Sequence, residues 1–353
     1  MQPVAKTGPV QKTGRTVATD LNIRKLAEIA GTSYSTVSRA LNDSPLVKEA
    51  TKQRIQELAR SLGYHLDFSA KSLATGMRMI VGILYPFHSL RPYESVYTSL
   101  AISRMRNALS RHGMDVLIAG FGNGAAPEDD ITRLVRQKKA DGLIVFGYEV
   151  SDEQIEALSN LPAPFLLINP SPSAAVQGRH TIRIDHERGG FLAAQHLIEA
   201  GRRRLVCVSE KGVQFDVRTA GFRRAIEDSG ESISLDFVYL DNGLYETAYR
   251  TTEKSLGVLA GCDGLFVQSD ISAFGVMNCL LDRGWKIPDD VSIVGYDDIE
   301  WAQYSRPSLT TIHQPVQEVA RLATEGIVSM ITQGRTELFC ETLQPALVNR
   351  ESC

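Results

Sequence analysis

The stretch IRKLAEIAGTSYSTVSRALN, residues 23–42, decides the fold of the first part of this 353-residue chain. Apolar side chains recur in its first half at the spacing of one helix face, and Asn22 just before them is a suitable N-cap residue. Gly31 supplies the left-handed conformation that ends such a helix. Ser33 can then cap a second helix, over about residues 34–41. The pattern therefore predicts two short helices joined by a tight glycine turn.

The second helix carries hydroxyl residues, which weaken a helix interior unless a partner outside the helix uses them. Its buried face would consist of Val37, Ala40 and Leu41, so its polar side chains must face outward. A third amphipathic helix, over about residues 48–62, completes a helix-turn-helix module. An outward face with hydroxyls and one Arg suits the major groove of DNA, where Arg bonds guanine bidentately. A solvated helix face with incidental Ser and Thr is the alternative.

Charge is divided unevenly along the chain. Residues 1–80 contain 12 Lys or Arg against 6 Asp or Glu, and the remainder contains 26 against 35. A basic N-terminal piece before an acidic body indicates a polyanion-binding module. Residues 1–20 lack the apolar centre of a secretory signal, and no apolar run is long enough to span a bilayer. We therefore expect a disordered tail over residues 1–20 and a cytoplasmic protein.

From Met79 onward the pattern changes to near-continuous apolar runs of strand length, such as MIVGILYP (79–86) and VSIVGYDD (291–298). Amphipathic helical stretches separate these runs, among them one over residues 246–260. Strands buried on both faces and alternating with helices predict a parallel, doubly wound α/β arrangement. The body is large for one such sheet, so we expect two lobes with a cleft between them. Ligands bind beyond the carboxyl ends of the strands in such sheets.

Signatures of catalysis are missing from the sequence. GFGNG (120–124) follows a predicted strand but lacks the spacing of known phosphate loops, so a turn is the simpler interpretation. Neither a GxSxG elbow nor HExxH occurs, and the Asp pair at 297–298 has no companions at metal-ligand spacing. The five cysteines include no CxxC pair. We therefore expect neither an enzyme nor a bound metal or cofactor.

Several motifs, in order, carry a resemblance to one family. They are IRKLAEIAGTSYSTVSRALN (23–42), LARSLGY (58–64), AKSLAT (70–75), IDHERGGFLAAQHLIEAGRRRL (184–205), RTAGFRRAI (218–226) and VSIVGYDDIEWAQYSRPSLTTIHQP (291–315). Together they make the chain after residue 20 closely resemble LacI/GalR-family transcriptional regulators. The resemblance implies a small all-α helix-turn-helix headpiece followed by a two-lobed, doubly wound α/β effector domain similar to periplasmic binding proteins.

The resemblance also implies domain bounds. The helix-turn-helix domain would occupy residues 21–66, a hinge helix or linker residues 67–77, and an effector-binding and dimerisation domain residues 78–353. Within the last domain, an N-lobe would comprise about residues 78–183 and 311–338, and a C-lobe about residues 184–310 and 339–353.

On the second helix, the resemblance implies that Tyr34 and Ser35 read base edges, with Arg39 one turn later. Thr36, Ser38 and Asn42 would mainly hold phosphates, which set affinity and register but not sequence preference. One departure from the family lies nearby: relatives usually carry Ser at the start of the third helix, where this chain has Lys48. A lost cap loosens the module by about 1 kcal/mol without changing its function.

The hinge helix would pair with its dimer mate in the minor groove of DNA. Leu73 would wedge into a central base step, as apolar minor-groove wedges do, while Ala70 lets the two helices approach and Lys71 reaches a phosphate. An ordinary linker helix with Leu73 in a core is the alternative. Relatives usually carry Pro near the position of Leu66, which fixes the start of the helix more rigidly.

In the effector domain, the Arg of the RxxGF motif maps to Arg218 and the Asp of the GYD motif maps to Asp297. A fork of donors and a pair of acceptors suits adjacent hydroxyls on a small polar ligand, although a structural salt bridge is the alternative. Ser269 stands where relatives often have a polar ligand contact. Phe87 and Trp301 could stack on a sugar ring, and packing is an equal alternative for both.

The predicted function is a homodimeric transcriptional regulator that represses a carbohydrate-uptake or catabolic operon. It would hold a palindromic double-stranded operator and release it when a sugar-like effector binds. Corepression by the effector is an open alternative. The competing hypothesis is a cytosolic sugar-binding sensor whose basic head shows no sequence preference for DNA.

Overall fold

The structure is a computed structural model, and it describes residues 21–41, 44–64, 77–86, 96–121, 137, 139–148 and 150–353. The chain divides into two compact units, Met1–Met77 and Arg78–Cys353. The tail expected over residues 1–20 and most of the expected hinge helix lie outside the described residues.

The first unit contains three helices, α1 (Ile23–Ala30), α2 (Tyr34–Leu41) and α3 (Glu49–Ser61). Asn22 caps α1, because its side-chain oxygen accepts from the backbone N–H groups of the second and third helical residues at 3.1 and 3.0 Å. Gly31 ends α1 at φ 63°, a backbone conformation that residues other than glycine adopt only with strain. Ser33 Oγ accepts from Thr36 N at 3.1 Å and so caps α2. These contacts confirm the predicted helix-turn-helix.

A small apolar core holds the three helices together. Leu26, Val37, Ala40 and Ile55 are fully buried in it, whereas Leu41 is only half-buried. Two polar side chains of α3 close the ends of the other helices: Arg54 Nη2 donates to Ala30 O and Gln56 Nε2 donates to Ala40 O, each at 3.2 Å. Orphan carbonyls at helix C-termini are satisfied in this way. The core therefore leaves the opposite face of α2 uncovered within this unit.

In the second unit, the described residues form two sheets of six strands each. The first sheet has the order β11-β5-β4-β3-β1-β2, with strands β1 (Ile80–Pro86), β2 (Asp115–Phe121), β3 (Gly142–Phe146), β4 (Phe165–Ile168), β5 (Thr181–Ile184) and β11 (Cys340–Leu343). The second has the order β12-β10-β9-β8-β6-β7, with strands β6 (Arg204–Ser209), β7 (Ser234–Tyr239), β8 (Gly264–Val267), β9 (Ser292–Asp297), β10 (Thr310–His313) and β12 (Ala346–Val348). All described pairings are parallel except β10 with β12. This confirms the predicted two-lobed, doubly wound α/β fold.

Helices cover both faces of each sheet. They are α4 (Val96–Arg111), α5 (Asp152–Ser159), α6 (His186–Glu199), α7 (Val213–Ser229), α8 (Tyr245–Lys254), α9 (Leu256–Leu259), α10 (Asp270–Leu281) and α11 (Val316–Gln333), with short 3₁₀ turns at Ala174–Val176 and Glu300–Gln303. Along β6, Leu205 and Cys207 join the core under α6 and α7, while Val206 and Val208 join the core under α8 and α10. Double coverage explains the near-continuous apolar runs. The helix expected over residues 246–260 is divided at Ser255 into α8 and α9.

The chain crosses between the lobes three times: after β5, after β10 and after β11. The expected bounds put residues 339–353 wholly in the C-lobe and residues 311–313 in the N-lobe. Instead, β11 pairs with β5 in the first sheet, and β10 pairs with β9 in the second. Strand pairing is a long-range contact that local patterning does not specify, so these crossings were misplaced.

Helices α6 and α7 touch backbone to backbone. A Cβ atom added to Gly190 would lie 1.8 Å from the carbonyl oxygen of Arg218, and one added to Gly221 would lie 1.8 Å from that of Glu187. Neither helix could approach the other this closely with any side chain at these positions. The two glycines thus set the position of the first half of α7, which carries Arg218.

Candidate functional site

Helix α2 presents a polar face to solvent within its own unit. Tyr34 is 51% exposed, and Ser35 and Arg39 are also exposed. Thr36 and Ser38 lie half-buried at the edge of this face. Because Val37 and Ala40 occupy the core, the face is rigidly oriented by packing. Its chemistry, a phenol, hydroxyls and one guanidinium, suits hydrogen bonding to base edges and phosphates.

The hydroxyls at the start of α2 are linked to one another. Ser33 Oγ lies 2.9 Å from Ser35 Oγ and 2.8 Å from Thr36 Oγ1. A hydroxyl can donate one hydrogen bond and accept two, so the Ser35 and Thr36 hydroxyls each retain capacity for a further partner, whereas Ser33 Oγ, which also accepts from Thr36 N, is fully used. The roles predicted for these residues stay predictions. Those for Asn42, Ala70, Lys71, Leu73 and Phe87 concern positions outside the described residues.

In the second unit, polar residues gather where the strands of the C-lobe end. Glu210 directly follows β6, Ser269 follows β8, and Asp297 is the last residue of β9. The strands are neighbours in the order β9-β8-β6 and run parallel, so all three residues lie at one edge of the sheet. Arg218 reaches this edge from α7. The structure thus brings together Arg218, Ser269 and Asp297, which the sequence had singled out separately.

Arg218 is 5% exposed and firmly held. Its Nη1 donates to Gln268 O at 2.7 Å, and its guanidinium carbon lies 3.8 Å from the ring centroid of Tyr296. A cation over an aromatic face is attracted by the ring quadrupole. Its Nε is buried and has no hydrogen-bond partner among the described residues. In the described part of the chain Arg218 forms no ion pair with Asp297, which goes against the salt-bridge alternative.

Asp297 ends β9 in a strained conformation, with φ 123°, and Asp298 follows with φ 54°. Strained residues of this kind concentrate at functional sites. Its Oδ1 accepts from Gln314 Nε2 at 2.6 Å. Burial raises the pKa of Asp297 to about 6, although the positive charge of Arg218 opposes the rise. The carboxylate is therefore desolvated and poorly compensated.

The two acids beside Asp297 have structural partners instead. Burial alone would raise the pKa of Asp298, but hydrogen bonds from His313 (2.9 Å) and Arg350 (2.6 Å) bring that pKa below its ordinary value. Asp270, the first residue of α10, is fully buried and accepts from Thr311 Oγ1 at 2.6 Å and from Ile299 N at 2.9 Å. It ties α10 to the loop after β9. Asp297, by contrast, has Gln314 as its side-chain hydrogen-bond donor and feels the charge of Arg218 without an ion pair to it among the described residues.

Glu210 is a cleft residue that the sequence did not single out. Burial raises its pKa to about 7, the charge of Asp297 adds to the rise, and the charge of Arg218 and a backbone hydrogen bond from Gly243 oppose it. Its only signal in the sequence is its place directly after the apolar run RLVCVS, where a carboxyl end of a strand is expected.

The N-lobe contributes a second wall. Asn169, at φ 49°, donates from Nδ2 to the hydroxyl of Tyr148 at 2.6 Å. His186, at the crossing after β5, has Nδ1 2.8 Å from the hydroxyl of Tyr296, and its ring centroid is 6.2 Å from that of Tyr148. Side chains of both lobes therefore meet at His186. Burial raises the pKa of Tyr148 to about 12, so its hydroxyl stays protonated and can act as a donor.

Two predicted ligand contacts in the C-lobe differ in their placement. Ser269 stands at the N-cap position of α10, half-buried, with no capping bond from its side chain. Trp301 lies in the 3₁₀ turn after β9 and is 67% exposed. Its ring makes no aromatic or cation–π contact with any other described residue. This placement goes against a stacking role in the cleft, because the side chain extends into solvent.

Within the described ranges, no group of three or more His, Cys, Asp or Glu side chains could hold a metal ion. None of the helices described in the structure combines the length and apolar character needed to cross a bilayer.

Comparison with known proteins agrees with this organisation. Residues 22–67 match the family model described as bacterial regulatory proteins, lacI family, and residues 194–353 match that of the periplasmic binding protein-like domain. The chain is 30% identical to the HTH-type transcriptional repressor PurR of Vibrio parahaemolyticus serotype O3:K6 (strain RIMD 2210633) over 336 residues, which is 94% of this chain and 98% of that protein.

Solved structures share the fold. The lac repressor dimer bound to operator and the anti-inducer ONPF superposes with a TM-score of 0.77 at 22% identity, covering 94% of this chain and 98% of that one. A LacI family transcriptional regulator from Enterococcus faecium with bound ribose superposes with a TM-score of 0.67 at 25% identity, covering 77% of this chain and 98% of that one.

Proposed function

The chain belongs to the lacI family of bacterial regulatory proteins, which are DNA-binding transcriptional repressors, and we propose that it acts as a homodimer on a palindromic operator beside carbohydrate genes. A small polar effector, bound between the two lobes, releases the operator. The observation that carries the proposal is the exposed polar face of α2, oriented by the buried Val37 and Ala40. We place the protein in the cytoplasm, where its DNA is, and expect it to return its effector chemically unchanged.

On DNA, Tyr34, Ser35 and Arg39 contact base edges in the major groove. Arg39 lies in the last turn of α2 and is exposed, so its guanidinium is free to form a bidentate pair with guanine. The remaining hydroxyls form hydrogen bonds to phosphates, and the Lys and Arg side chains of the first unit neutralise phosphate charges, which makes affinity depend strongly on salt.

In the effector unit, Arg218 and Asp297 supply donors and acceptors to adjacent polar groups of the ligand. Gln314 and His186 lie at two of the crossings between the lobes, and they contact Asp297 and Tyr296 respectively. A ligand that contacts these residues binds two relative arrangements of the lobes with different affinities. This difference in affinity shifts the equilibrium between the two arrangements. The ribose bound to the Enterococcus faecium relative supports a sugar-like effector.

Dimerisation is assigned to a surface apart from the cleft. Trp301 and Tyr304, at 67% and 59% exposed, place two large aromatic side chains on the 3₁₀ turn after β9 and its end. Exposed aromatic side chains are typical of protein contacts. We therefore reassign Trp301 from ligand stacking to a subunit interface, and sedimentation of the full chain should give the mass of a dimer.

The experiment that tests this function selects genomic fragments that the purified protein retains at near-physiological salt. A shared palindrome beside transport or catabolic genes is expected. In Arg39→Ala, discrimination at one base pair per half-site should fall by about 1–3 kcal/mol. The matched control, Arg60→Ala, removes an exposed Arg of α3 and should keep the full preference.

Two results would contradict the proposal. If retention of DNA fragments depends on salt but not on sequence, the protein is a sensor whose basic head binds DNA without preference. If Arg39→Ala discriminates between base pairs as well as the wild type does, Arg39 is not a base-reading residue. Operator retention that increases in the presence of effector would reverse the direction of control to corepression.

A further inference from the structure

Glu210 occupies a place in the cleft that only a neighbouring glycine leaves open. A Cβ atom added to Gly243 would lie 2.5 Å from Glu210 Oε1, closer than atoms can pack. Gly243 therefore lets the carboxylate lie against the backbone of the loop after β7. The Glu210 side chain is half-buried there, at the carboxyl end of β6 and in line with Asp297 two strands away.

The charged groups of this cleft do not balance. Two acids, Glu210 and Asp297, face one buried cation, Arg218, whose guanidinium is already engaged by Gln268 O and the ring of Tyr296. Asp270 beneath them is satisfied by its own partners and offers no positive charge. A desolvated carboxylate without a cation is unfavourable, and an opposite charge nearby relieves this.

Buried polar atoms without protein partners lie close to Asp297. Among the described residues, Arg218 Nε, Tyr97 Oη and Gln314 Oε1 are buried and make no hydrogen bond. Their side chains are 5%, 8% and 2% exposed. The charges of Arg218 and Asp297 act on Tyr97, which places its hydroxyl near Asp297. Buried groups of this kind are nearly always satisfied in a complete assembly.

We propose that the effector is a small polyhydroxylated amine whose ammonium group pairs with Glu210 while its hydroxyls meet Asp297, Arg218 and Tyr97. That the bound amine is an effector rests on the proposed function, but the binding of the amine itself does not depend on DNA. Glu210 then discriminates cationic ligands from neutral and anionic ones. An ammonium donates three hydrogen bonds and accepts none, which matches a carboxylate, a group that only accepts.

Anionic sugars fit the cleft poorly for the same reason. A uronate or a sugar phosphate would place a negative charge among Glu210 and Asp297, and Arg218 is the one cation whose charge lowers the pKa values of both acids among the described residues. Burial is the main cause of the raised pKa values of both acids, and the charge of Arg218 opposes it only in part.

The test measures the thermal stabilisation of the full chain, without DNA, by three matched sets: glucosamine, galactosamine and mannosamine; the three neutral hexoses; and the three uronates. Ligand that binds only the folded state raises Tm. The amines should stabilise more than their neutral counterparts, and the uronates least. Titration calorimetry then compares the wild type with Glu210→Gln, which keeps size and hydrogen bonding but removes the charge.

In Glu210→Gln, affinity for the amines should fall roughly 10- to 100-fold, as expected for loss of a charged hydrogen bond, while affinity for neutral hexoses changes little. Glu227→Gln, on the exposed face of α7, is the matched control and should leave both affinities unchanged. A panel in which no amine exceeds its neutral counterpart, including one with no response at all, overturns the proposal. Equal loss for amines and neutral hexoses in Glu210→Gln does so too. Neither result touches operator binding, which is judged by fragment selection alone.

Discussion

Substitution of Gly221 by Ala should separate α6 from α7. The new Cβ would lie 1.8 Å from the carbonyl oxygen of Glu187, and real Cβ atoms stay beyond about 3.0 Å, so the backbones must part by about 1.2 Å. Overpacking costs roughly 1–3 kcal/mol, and a contact with rigid backbone lies at the upper end. The better helix propensity of Ala returns only about 1 kcal/mol. We expect a net loss of about 2 kcal/mol.

The assay is urea unfolding followed by circular dichroism, with Gly257→Ala as the matched control. Gly257 lies in α9, and a Cβ atom there meets nothing within 4 Å, so this variant should be as stable as the wild type or slightly more so. Gly190→Ala introduces a steric clash at the same contact between α6 and α7, from the side of α6. Once one substitution has parted the helices, the second should cost less, so the double variant should be more stable than additivity predicts by at least about 0.5 kcal/mol. Equal stability of Gly221→Ala and Gly257→Ala would refute the close approach.

Two further predictions concern a cap and a titration. Lys48 precedes α3 without a capping bond from its side chain, so Lys48→Ser should stabilise the first unit by about 0.5–1 kcal/mol in thermal unfolding; no gain would mean that the helix start is satisfied otherwise. Burial raises the pKa of Asp297 to about 6, above its unfolded value of about 3.9. Between these two pH values the folded state therefore binds more protons than the unfolded state. The contribution of Asp297 to stability consequently falls as the pH rises from about 4 to about 6. Asp297→Asn should therefore raise Tm at pH 7.5 and flatten the dependence of Tm on pH between 4 and 7, whereas a slope equal to that of the wild type would contradict this.

Local patterning was sufficient for the helix-turn-helix. Each of its features depends on residues close together in the chain. Asn22 and Ser33 cap the helices that follow them, Gly31 adopts the left-handed conformation, and Val37 lies on the face that its spacing predicts. Apolar runs were equally sufficient for the α/β class, because strands covered on both faces must be apolar throughout. Apart from AKSLAT (70–75), which is outside the described residues, the motifs that carry the family resemblance lie on these local elements and the loops between them.

Long-range contacts decided the rest. The pairing of β11 with β5 moved a lobe crossing away from its expected place, since no local signal specifies a parallel partner. Trp301 is 67% exposed, whereas the sequence alone leaves open whether an aromatic residue four positions after Asp297 packs in the core or stacks on a ligand. Glu210 was missed because its importance lies in what surrounds it: an engaged Arg218 and the room left by Gly243.

The sequence by itself therefore determined the fold class, the family and the exposed polar face of α2, because caps, turns and hydrophobic periodicity act between residues a few positions apart. Only the tertiary structure decided which acids are compensated. Asp297 and Asp298 are adjacent and identical in type, yet Asp297 accepts a hydrogen bond from the neutral side chain of Gln314 and Asp298 is held by His313 and Arg350. Burial and electrostatic partners are properties of the folded molecule, and they make two neighbouring carboxylates chemically different.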